Sequence, residues 1–120
     1  VIAVPMYNFS VPAAFKAWID LVCRTNITYV YENEKPRGML TDKRAFVVIT
    51  SGGTLGGSEI DYTSGYVKHI LSFIGITDVT SVDATGLSNN RRKVIADASK
   101  EIAKIGDAAS NAQRNLSAAE

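Results

Sequence analysis

Cysteine is almost absent from this sequence, which holds a single one, Cys23, among 120 residues. One cysteine excludes an internal disulfide, and this fits a reducing compartment such as the cytoplasm. Cys23 belongs to no Cys-x-x-Cys pair and lies in a predicted helix, so we interpret it as a small buried hydrophobic residue, with a reactive thiol as the alternative. No cluster of cysteine, histidine and carboxylate residues has the spacing of metal ligands. We therefore expect no metal site.

Strong net charge and long apolar runs are also lacking. The formal net charge is +1, which gives no reason to expect nucleic acid or an anionic membrane as a partner. No apolar run approaches the roughly 20 residues that span a bilayer. The length and the hydrophobic content of 46% are those of one ordinary globular domain.

The motifs of catalysis and of phosphate binding are missing as well. The only histidine, His69, lies in a predicted helix, and no Ser-His-Asp or Cys-His pairing can be assembled around it. Neither G-x-x-x-x-G-K-[ST] nor G-x-G-x-x-G is present. Any reaction is therefore expected to depend on a cofactor, and we assign no catalytic side chain.

Short apolar runs alternate with amphipathic segments along the chain. The runs predict strands at Val1–Val4, Ala45–Ile49 and Val79–Ala84, the last with the interrupting polar residues of an edge strand. Helices are predicted over Pro12–Arg24, within Ser58–Phe73 and from about Asn90 to about Leu116. Strands and helices in this order predict an α/β fold with a parallel, doubly wound sheet.

Some local features refine this prediction. The first helix should bury one face, made of Phe15, Trp18, Ile19 and Val22, and Gly75 should end the second helix. The β-prone Ile27–Tyr31 and the turn-rich Glu32–Gly38 predict an excursion outside the core sheet. Apolar residues of the last helix recur every three or four positions, as in a coiled coil, but their alanine content favours packing on the sheet.

The first strand is apolar enough to be an interior strand, which needs neighbours on both sides. Three strands are few for a doubly wound sheet. We therefore expect at least one further strand beside Val1–Val4. The sequence also starts without methionine and already inside that strand, so we interpret it as a fragment or as a chain whose preceding residues are undetermined.

Two loops follow consecutive predicted strands and have unusual compositions. The first is Met6-Tyr7-Asn8-Phe9, and the second is Thr50-Ser51-Gly52-Gly53, with Gly56 and Gly57 shortly after. Parallel strands place both loops at the carboxyl rim of the sheet, where ligands bind in open α/β folds. One loop offers rings and an amide, and the other offers free backbone N–H groups. The pair suits a planar heterocycle with a polar edge, such as a flavin; for the glycines alone, a flexible turn is the alternative.

At this point a family resemblance becomes specific. Pro5-Met6-Tyr7-Asn8-Phe9-Ser10-Val11-Pro12, and the helix with Trp18-Ile19-Asp20 after it, resemble the FMN-dependent NADH-azoreductases of the flavodoxin-like quinone reductase group. Ile27–Tyr31, Thr50–Gly53 and Phe73–Val79 match the same family in order. The resemblance extends from Val1 to about Ala96, and the last helix is similar only in general character.

The resemblance implies a flavodoxin-like fold, FMN as cofactor and NADH as electron donor. It implies that FMN is bound by Met6, Tyr7, Asn8, Phe9, Thr50, Ser51, Gly52 and Gly53, with Ser51 replacing an arginine that is common in the family. Tyr29 and Tyr31 match positions that line the substrate side of the flavin, often near the partner of a homodimer. Hydride would pass from NADH through the flavin to an azo compound or a quinone, in ping-pong order.

The resemblance also has a limit. Members of this family carry two earlier strands and a serine-rich loop that binds the FMN phosphate, and neither is found in residues 1–120. We therefore expect one flavodoxin-like domain without these parts, which binds FMN weakly by itself. Two alternatives are a non-enzymatic flavodoxin-like electron carrier, although such carriers are usually acidic, and an inactive truncated product.

Overall fold

The structure is a computed structural model that describes residues 1–117. In chain order its elements are β1 (Ile2–Pro5), α1 (Ala13–Val22), β2 (Tyr29–Glu32), β3 (Lys35–Gly38), β4 (Arg44–Thr50), α2 (Ser64–Phe73), β5 (Asp78–Ala84) and α3 (Leu87–Ser117). Their order confirms the predicted alternation of strands and helices, with the excursion between α1 and β4.

The core sheet has three parallel strands in the order β1-β4-β5. The central strand β4 pairs with β1 from Val47 to Thr50 and with β5 along its whole length. The edge position predicted for the third strand is confirmed, because β5 pairs with no described strand other than β4. Within residues 1–117, the outer edge of β1 pairs with no strand.

Helices cover both faces of the sheet, as a doubly wound fold requires. One face packs against α1 and α2, with a buried core of Val4, Met6, Ala45, Val47, Ile49, Val67 and Leu71. The other face packs against α3 through a smaller buried cluster of Val82, Ala84 and Ala98. Because the three strands are parallel, their carboxyl ends all lie at one rim of the sheet, between these two helical layers.

The first helix is shorter and less buried than predicted. It ends at Val22, and Ile19 is its only fully buried residue. Phe15 packs partly against the core, but Trp18, expected on the same buried face, is exposed. The ring of Trp18 instead lies 5.4 Å from that of Phe15, centroid to centroid, on the outer side of the helix.

The excursion is a separate antiparallel hairpin formed by β2 and β3. The prediction that it lies outside the core sheet is confirmed, but the expectation of a turn-rich segment is wrong for Lys35–Gly38, which is a strand. Asn33 and Glu34 have φ angles of 50° and 64°. Positive φ at both central residues gives a type I′ turn, whose twist matches that of the two strands it joins.

The ends of α2 and α3 follow local rules. Gly75, at φ 107°, ends α2 as predicted: its N–H donates to the Ser72 carbonyl, and the Ile76 N–H donates to the Leu71 carbonyl. Asn90 has non-helical angles, and its side-chain oxygen accepts a hydrogen bond from the Lys93 N–H. Asn90 therefore caps the long part of α3, near the predicted start of the helix.

The contacts of α3 confirm that it packs on the sheet. Ala98 is buried and Ile105 packs beside the same cluster, whereas Ile95 and Ile102 are about half exposed. Beside this contact, an apolar groove of about 320 Å³ runs between α3 and the sheet near Val1. The side chain of Leu116, part of the predicted apolar stripe, lies outside the described residues.

Cys23 immediately follows α1 and is half-buried. Burial, together with the nearby Asp20 carboxylate, raises the pKa of its thiol and disfavours the reactive thiolate.

Across residues 1–117, no helix is long and apolar enough to cross a bilayer, and no group of His, Cys, Asp and Glu side chains could hold a metal ion.

Candidate functional site

Three loops meet at the carboxyl rim of the sheet. The first loop (residues 6–10) follows β1, the second loop (residues 51–57) follows β4, and the third loop (residues 85–89) follows β5 and includes the opening turn of α3. The first loop is joined to the end of β4 because the Met6 N–H donates to the Thr50 carbonyl at 2.7 Å. The two loops predicted to lie together therefore do so.

The first loop is a strained turn that presents the side chains of Tyr7, Asn8 and Phe9 outward. Tyr7 and Ser10 exchange backbone hydrogen bonds of 2.9 and 3.1 Å, and the two residues between them, Asn8 and Phe9, have φ angles of 49° and 70°. A positive φ is uncommon for asparagine and a true outlier for phenylalanine. Such strain persists where the surrounding structure enforces it, which often marks a functional loop.

The exposure of the first loop is unusual for apolar rings. Tyr7 is 61% exposed and Phe9 is 51% exposed, although Met6 beside them is buried in the core. The side-chain amide of Asn8 forms no hydrogen bond with any described residue. The Phe9 carbonyl accepts a hydrogen bond of 3.2 Å from the Tyr62 N–H, which brings a third exposed ring to this rim. The loop therefore offers aromatic faces and one free amide.

The second loop exposes backbone where the first loop exposes side chains. Gly52 and Gly53 are both exposed, and neither of their N–H groups donates to an acceptor within residues 1–117. A Cβ built on Gly53 would meet no atom within 4 Å. A Cβ on Gly52 would lie 3.2 Å from the Ser88 Oγ, so the open space is above Gly53, where a flat ligand could approach the backbone closely.

The third loop holds the second loop in place through buried hydrogen bonds. Ser51 is 6% exposed, and its Oγ accepts a hydrogen bond of 3.1 Å from the Gly86 N–H. The same hydroxyl donates to the Thr54 carbonyl. Farther along, the Gly56 N–H donates to the Thr85 Oγ1 at 2.7 Å. The Ser51 side chain, predicted to contact a cofactor, therefore points into the protein.

Asp61 organises the approach from the second loop to α2. Its carboxylate accepts hydrogen bonds from the backbone N–H groups of Gly57, Thr63 and Ser64 and from the Ser64 hydroxyl. Burial by itself would raise the pKa of Asp61, but the bonds donated by Ser64, Gly57 and Thr63 outweigh it, and the net pKa is lowered. Asp61 thus acts as a cap at the start of α2.

Because the Asp61 carboxylate caps α2, we expect the free energy of unfolding to depend on pH. Because the folded-state pKa of Asp61 is lowered, its contribution is fully present above the unfolded-state pKa, near pH 4, and is lost as the pH falls through the folded value. Replacing Asp61 with alanine should lower the free energy of unfolding by about 1–2 kcal/mol at neutral pH, and by less at a pH below about 4. Urea unfolding at the two pH values measures this difference.

The control for this measurement is Asp107→Asn, which changes an exposed carboxylate of α3. It should leave the unfolding free energy within about 0.5 kcal/mol of wild type at both pH values. An Asp61→Ala deficit that stays the same size at low pH would contradict the role of the ionised carboxylate.

Tyr29 and Tyr31, predicted to line the substrate side, lie elsewhere in a single chain. The Tyr29 ring centroid lies 4.5 Å from that of Phe73, the last residue of α2, and 5.8 Å from that of Tyr31, in tilted and edge-to-face contacts. The rim lies at the other end of α2, ten residues and about 15 Å away. One copy of the chain therefore does not bring these two tyrosines to the three loops.

Comparison with known proteins identifies the fold family. A profile described as the flavodoxin-like fold matches residues 1–106. The chain belongs to the flavodoxin-like fold family. The predicted fold is thereby confirmed, and the three loops are the strand-end loops of a flavodoxin-like sheet.

Curated flavodoxin-like relatives share much of the sequence. The chain is 50% identical over 105 residues to FMN-dependent NADH:quinone oxidoreductase 1 of Colwellia psychrerythraea, an alignment that covers 88% of this chain and 55% of that protein. It is 54% identical over 87 residues to the protein of the same name from Jannaschia sp., covering 72% and 46%. The chain therefore spans about half the length of the curated relatives it matches.

A solved flavodoxin-like structure shows the same arrangement of elements. The FMN-dependent NADH-azoreductase from Bacillus anthracis str. Ames Ancestor, solved in complex with FMN, matches with a TM-score of 0.79 at 27% identity. The match covers 87% of this chain and 52% of that one. Together with the curated relatives, it confirms the resemblance to the azoreductase and quinone reductase group.

The flavodoxin-like rim also contains residues that the sequence analysis missed. These are Tyr62, which precedes α2, and Thr85 and Gly86, which follow β5. The rule that ligands bind at strand carboxyl ends would have singled out Thr85-Gly86, since the motif directly follows the third predicted strand. Tyr62 carries no such signal, because its position depends on a contact with Phe9 across the rim.

Proposed function

We propose that this chain is part of an FMN-dependent oxidoreductase that passes a hydride from NADH to a quinone or an azo compound. The observation that carries the proposal is the pairing of two open loops at one rim, one aromatic and one glycine-rich. The relatives named as FMN-dependent NADH:quinone oxidoreductases, at up to 54% identity, support the same activity.

The residues present fit the ring of FMN. A flavin ring has two apolar faces and a polar edge of carbonyl and ring nitrogen atoms that need hydrogen-bond partners. Tyr7 and Phe9 offer exposed rings, Asn8 offers an amide with no partner among the described residues, and Gly52 and Gly53 offer unused N–H groups. The hydrogen bond from the Met6 N–H to the Thr50 carbonyl holds the two loops together. We infer that these residues hold the ring.

Each residue then has a defined part in the reaction. When bound, FMN supplies the chemistry, which is acceptance of a hydride from NADH and its delivery to the acceptor. The first loop orients the ring and shields it from water with its aromatic side chains, while the second loop donates hydrogen bonds to its edge. We assign no side chain to proton transfer.

A further segment completes the fold in this proposal. The outer edge of β1 has backbone groups that pair with no strand among the described residues, and the apolar groove beside α3 continues toward Val1. About half the length of the curated relatives has no counterpart in this chain. We propose that an equivalent strand and helix cover this edge and groove, and that they bring the loop that binds the FMN phosphate.

We also propose that the complete protein is a cytoplasmic homodimer. Tyr31 is exposed, as are Leu21 at the end of α1 and Ile27 before the hairpin, so apolar side chains are available for a subunit contact. Tyr29 and Tyr31 would then reach the flavin of the partner rather than that of their own chain. A quinone or azo acceptor would stack between these rings and the flavin.

Spectroscopy tests the proposed activity. We expect the complete protein to bind FMN, the visible flavin band to be bleached by NADH without oxygen, and a quinone to restore it. The 120-residue chain alone should bind FMN weakly, because it lacks the phosphate loop. Bound flavin that NADH does not bleach would contradict the enzyme and favour an electron carrier. Tight, stoichiometric FMN binding by a monomer of the isolated chain would contradict the further segment.

A further inference from the structure

Ser51 occupies an unusual place among the residues of the rim. It is the first residue of the second loop but is 6% exposed, whereas the next two residues, Gly52 and Gly53, are open to solvent. Its hydroxyl is used twice, accepting from the Gly86 N–H and donating to the Thr54 carbonyl. A side chain in this position cannot also bind a ligand at the surface of the rim.

The backbone around Ser51 continues the same connection. The Ser51 carbonyl accepts a hydrogen bond of 3.0 Å from the Leu87 N–H, and the Gly52 carbonyl accepts one of 2.9 Å from the Ser88 N–H. In a trans peptide the N–H points away from the preceding carbonyl. Because the Ser51 and Gly52 carbonyls are both bound to the third loop, the unused N–H groups of Gly52 and Gly53 point to the open side. The orientation of these donors therefore depends on the third loop.

The far end of the second loop is joined to the third loop in a similar way. Thr85 is 7% exposed, and its Oγ1 accepts the Gly56 N–H. Leu55 packs over Gly86, where a Cβ would come within 2.6 Å of the leucine Cδ2. Two buried hydroxyls, one at each end of the glycine-rich loop, thus connect it to the turn after β5.

We propose that Ser51 and Thr85 are positioning residues, forming a hydroxyl latch that holds the second loop in the conformation that receives the flavin ring. The latch consists of the Ser51–Gly86 and Thr85–Gly56 hydrogen bonds. The inference rests on the proposed function for its ligand, but the latch itself is a property of the protein. It gives Ser51 an indirect role, since no contact between its side chain and FMN is required.

Hydrogen–deuterium exchange of the full chain tests the latch without any flavin. Ser51→Ala should speed exchange of the Gly86 amide by at least about tenfold, because a buried N–H loses its acceptor. Thr85→Val, which removes the hydroxyl at nearly constant volume, should do the same for the Gly56 amide. Amides of β1, β4 and α2 should keep their wild-type rates. Ser88→Ala is the matched control, because Ser88 is exposed and its hydroxyl, although it lies beside Gly52, takes no part in the hydrogen bonds that join the two loops.

Titration of the complete protein with FMN tests the positioning role. Both latch variants should raise the Kd for FMN by about tenfold relative to wild type, since the donors of Gly52 and Gly53 are no longer held in place. Wild-type Gly86 exchange in Ser51→Ala would overturn the latch. Faster exchange with an unchanged Kd would overturn the positioning role. A complete wild-type protein that binds no FMN would instead overturn the proposed function, while the exchange rates would still decide the latch.

Discussion

Replacing Gly38 with alanine should lower the free energy of unfolding by about 2–3 kcal/mol, the upper range for overpacking a close contact. A Cβ at this position would lie 2.0 Å from the Gly75 nitrogen and 2.3 Å from the Ile74 carbonyl carbon. These are backbone atoms, which cannot rotate away. The hairpin would have to move off α2 and lose the hydrogen bond from the Leu40 N–H to the Ile74 carbonyl. Urea unfolding measures the change.

Alanine substitutions at Gly75 and Gly65 test whether the loss of stability comes from this close contact. Gly75→Ala should also destabilise, because φ is 107° and the new Cβ would lie 2.9 Å from the Leu40 nitrogen. Gly65→Ala should have the opposite sign and stabilise by up to about 1 kcal/mol, since Gly65 lies in α2 and a Cβ added there would have no atom within 4 Å. Equal unfolding midpoints for Gly38→Ala and wild type would show that the hairpin does not approach α2 so closely.

Gly38→Ala should also affect the proposed function. The hairpin carries Tyr29, which packs on Phe73 at the end of α2, and Tyr31 beside it. If these tyrosines serve the partner's flavin, a displaced hairpin should impair acceptor reduction more than FMN binding. The two loops that are proposed to hold the ring lie at the other end of α2 and should be unaffected.

The core of this fold was predictable because its signals are local. Buried parallel strands are continuous apolar runs, and β1 and β4 follow that pattern, whereas polar residues interrupt the edge strand β5. The strand β3 was missed because Lys35-Pro36-Arg37-Gly38 has no alternating apolar pattern, and because its type I′ turn uses Asn33-Glu34 in place of the usual glycine. The burial of Trp18 was overestimated because helical periodicity does not show how far the neighbouring sheet extends.

The candidate site was predictable only in part. Its two exposed loops have compositions that are unusual for connectors. The sequence therefore showed both where these loops lie, at the ends of strands, and which chemical groups they offer to a ligand. The inward orientation of Ser51 was not visible, because its partner Gly86 lies 35 residues away along the chain. Polar residues beside glycines look the same whether they contact a ligand or support the loop that does.

Replacing Gly53 with valine should weaken FMN binding by at least about tenfold while leaving the fold intact. No atom lies within 4 Å of a Cβ at this position, and its φ lies outside the left-handed region, so the protein itself accepts the side chain. A branched side chain would occupy the open space above the second loop, where the ring is proposed to lie. It would also keep the ring away from the N–H groups of Gly52 and Gly53. Quenching of flavin fluorescence measures the Kd.

The matched control is Ala103→Val, which places the same side chain at an exposed position of α3 that does not line the apolar groove. Ala103 lies 13 residues beyond Asn90 in the helix, or roughly 20 Å from the rim. This variant should retain the wild-type Kd for FMN, and both variants should unfold within about 1 kcal/mol of wild type. If Gly53→Val binds FMN as tightly as Ala103→Val, the ring does not lie against the second loop. The aromatic first loop would then have to hold it without the donors of the glycine pair.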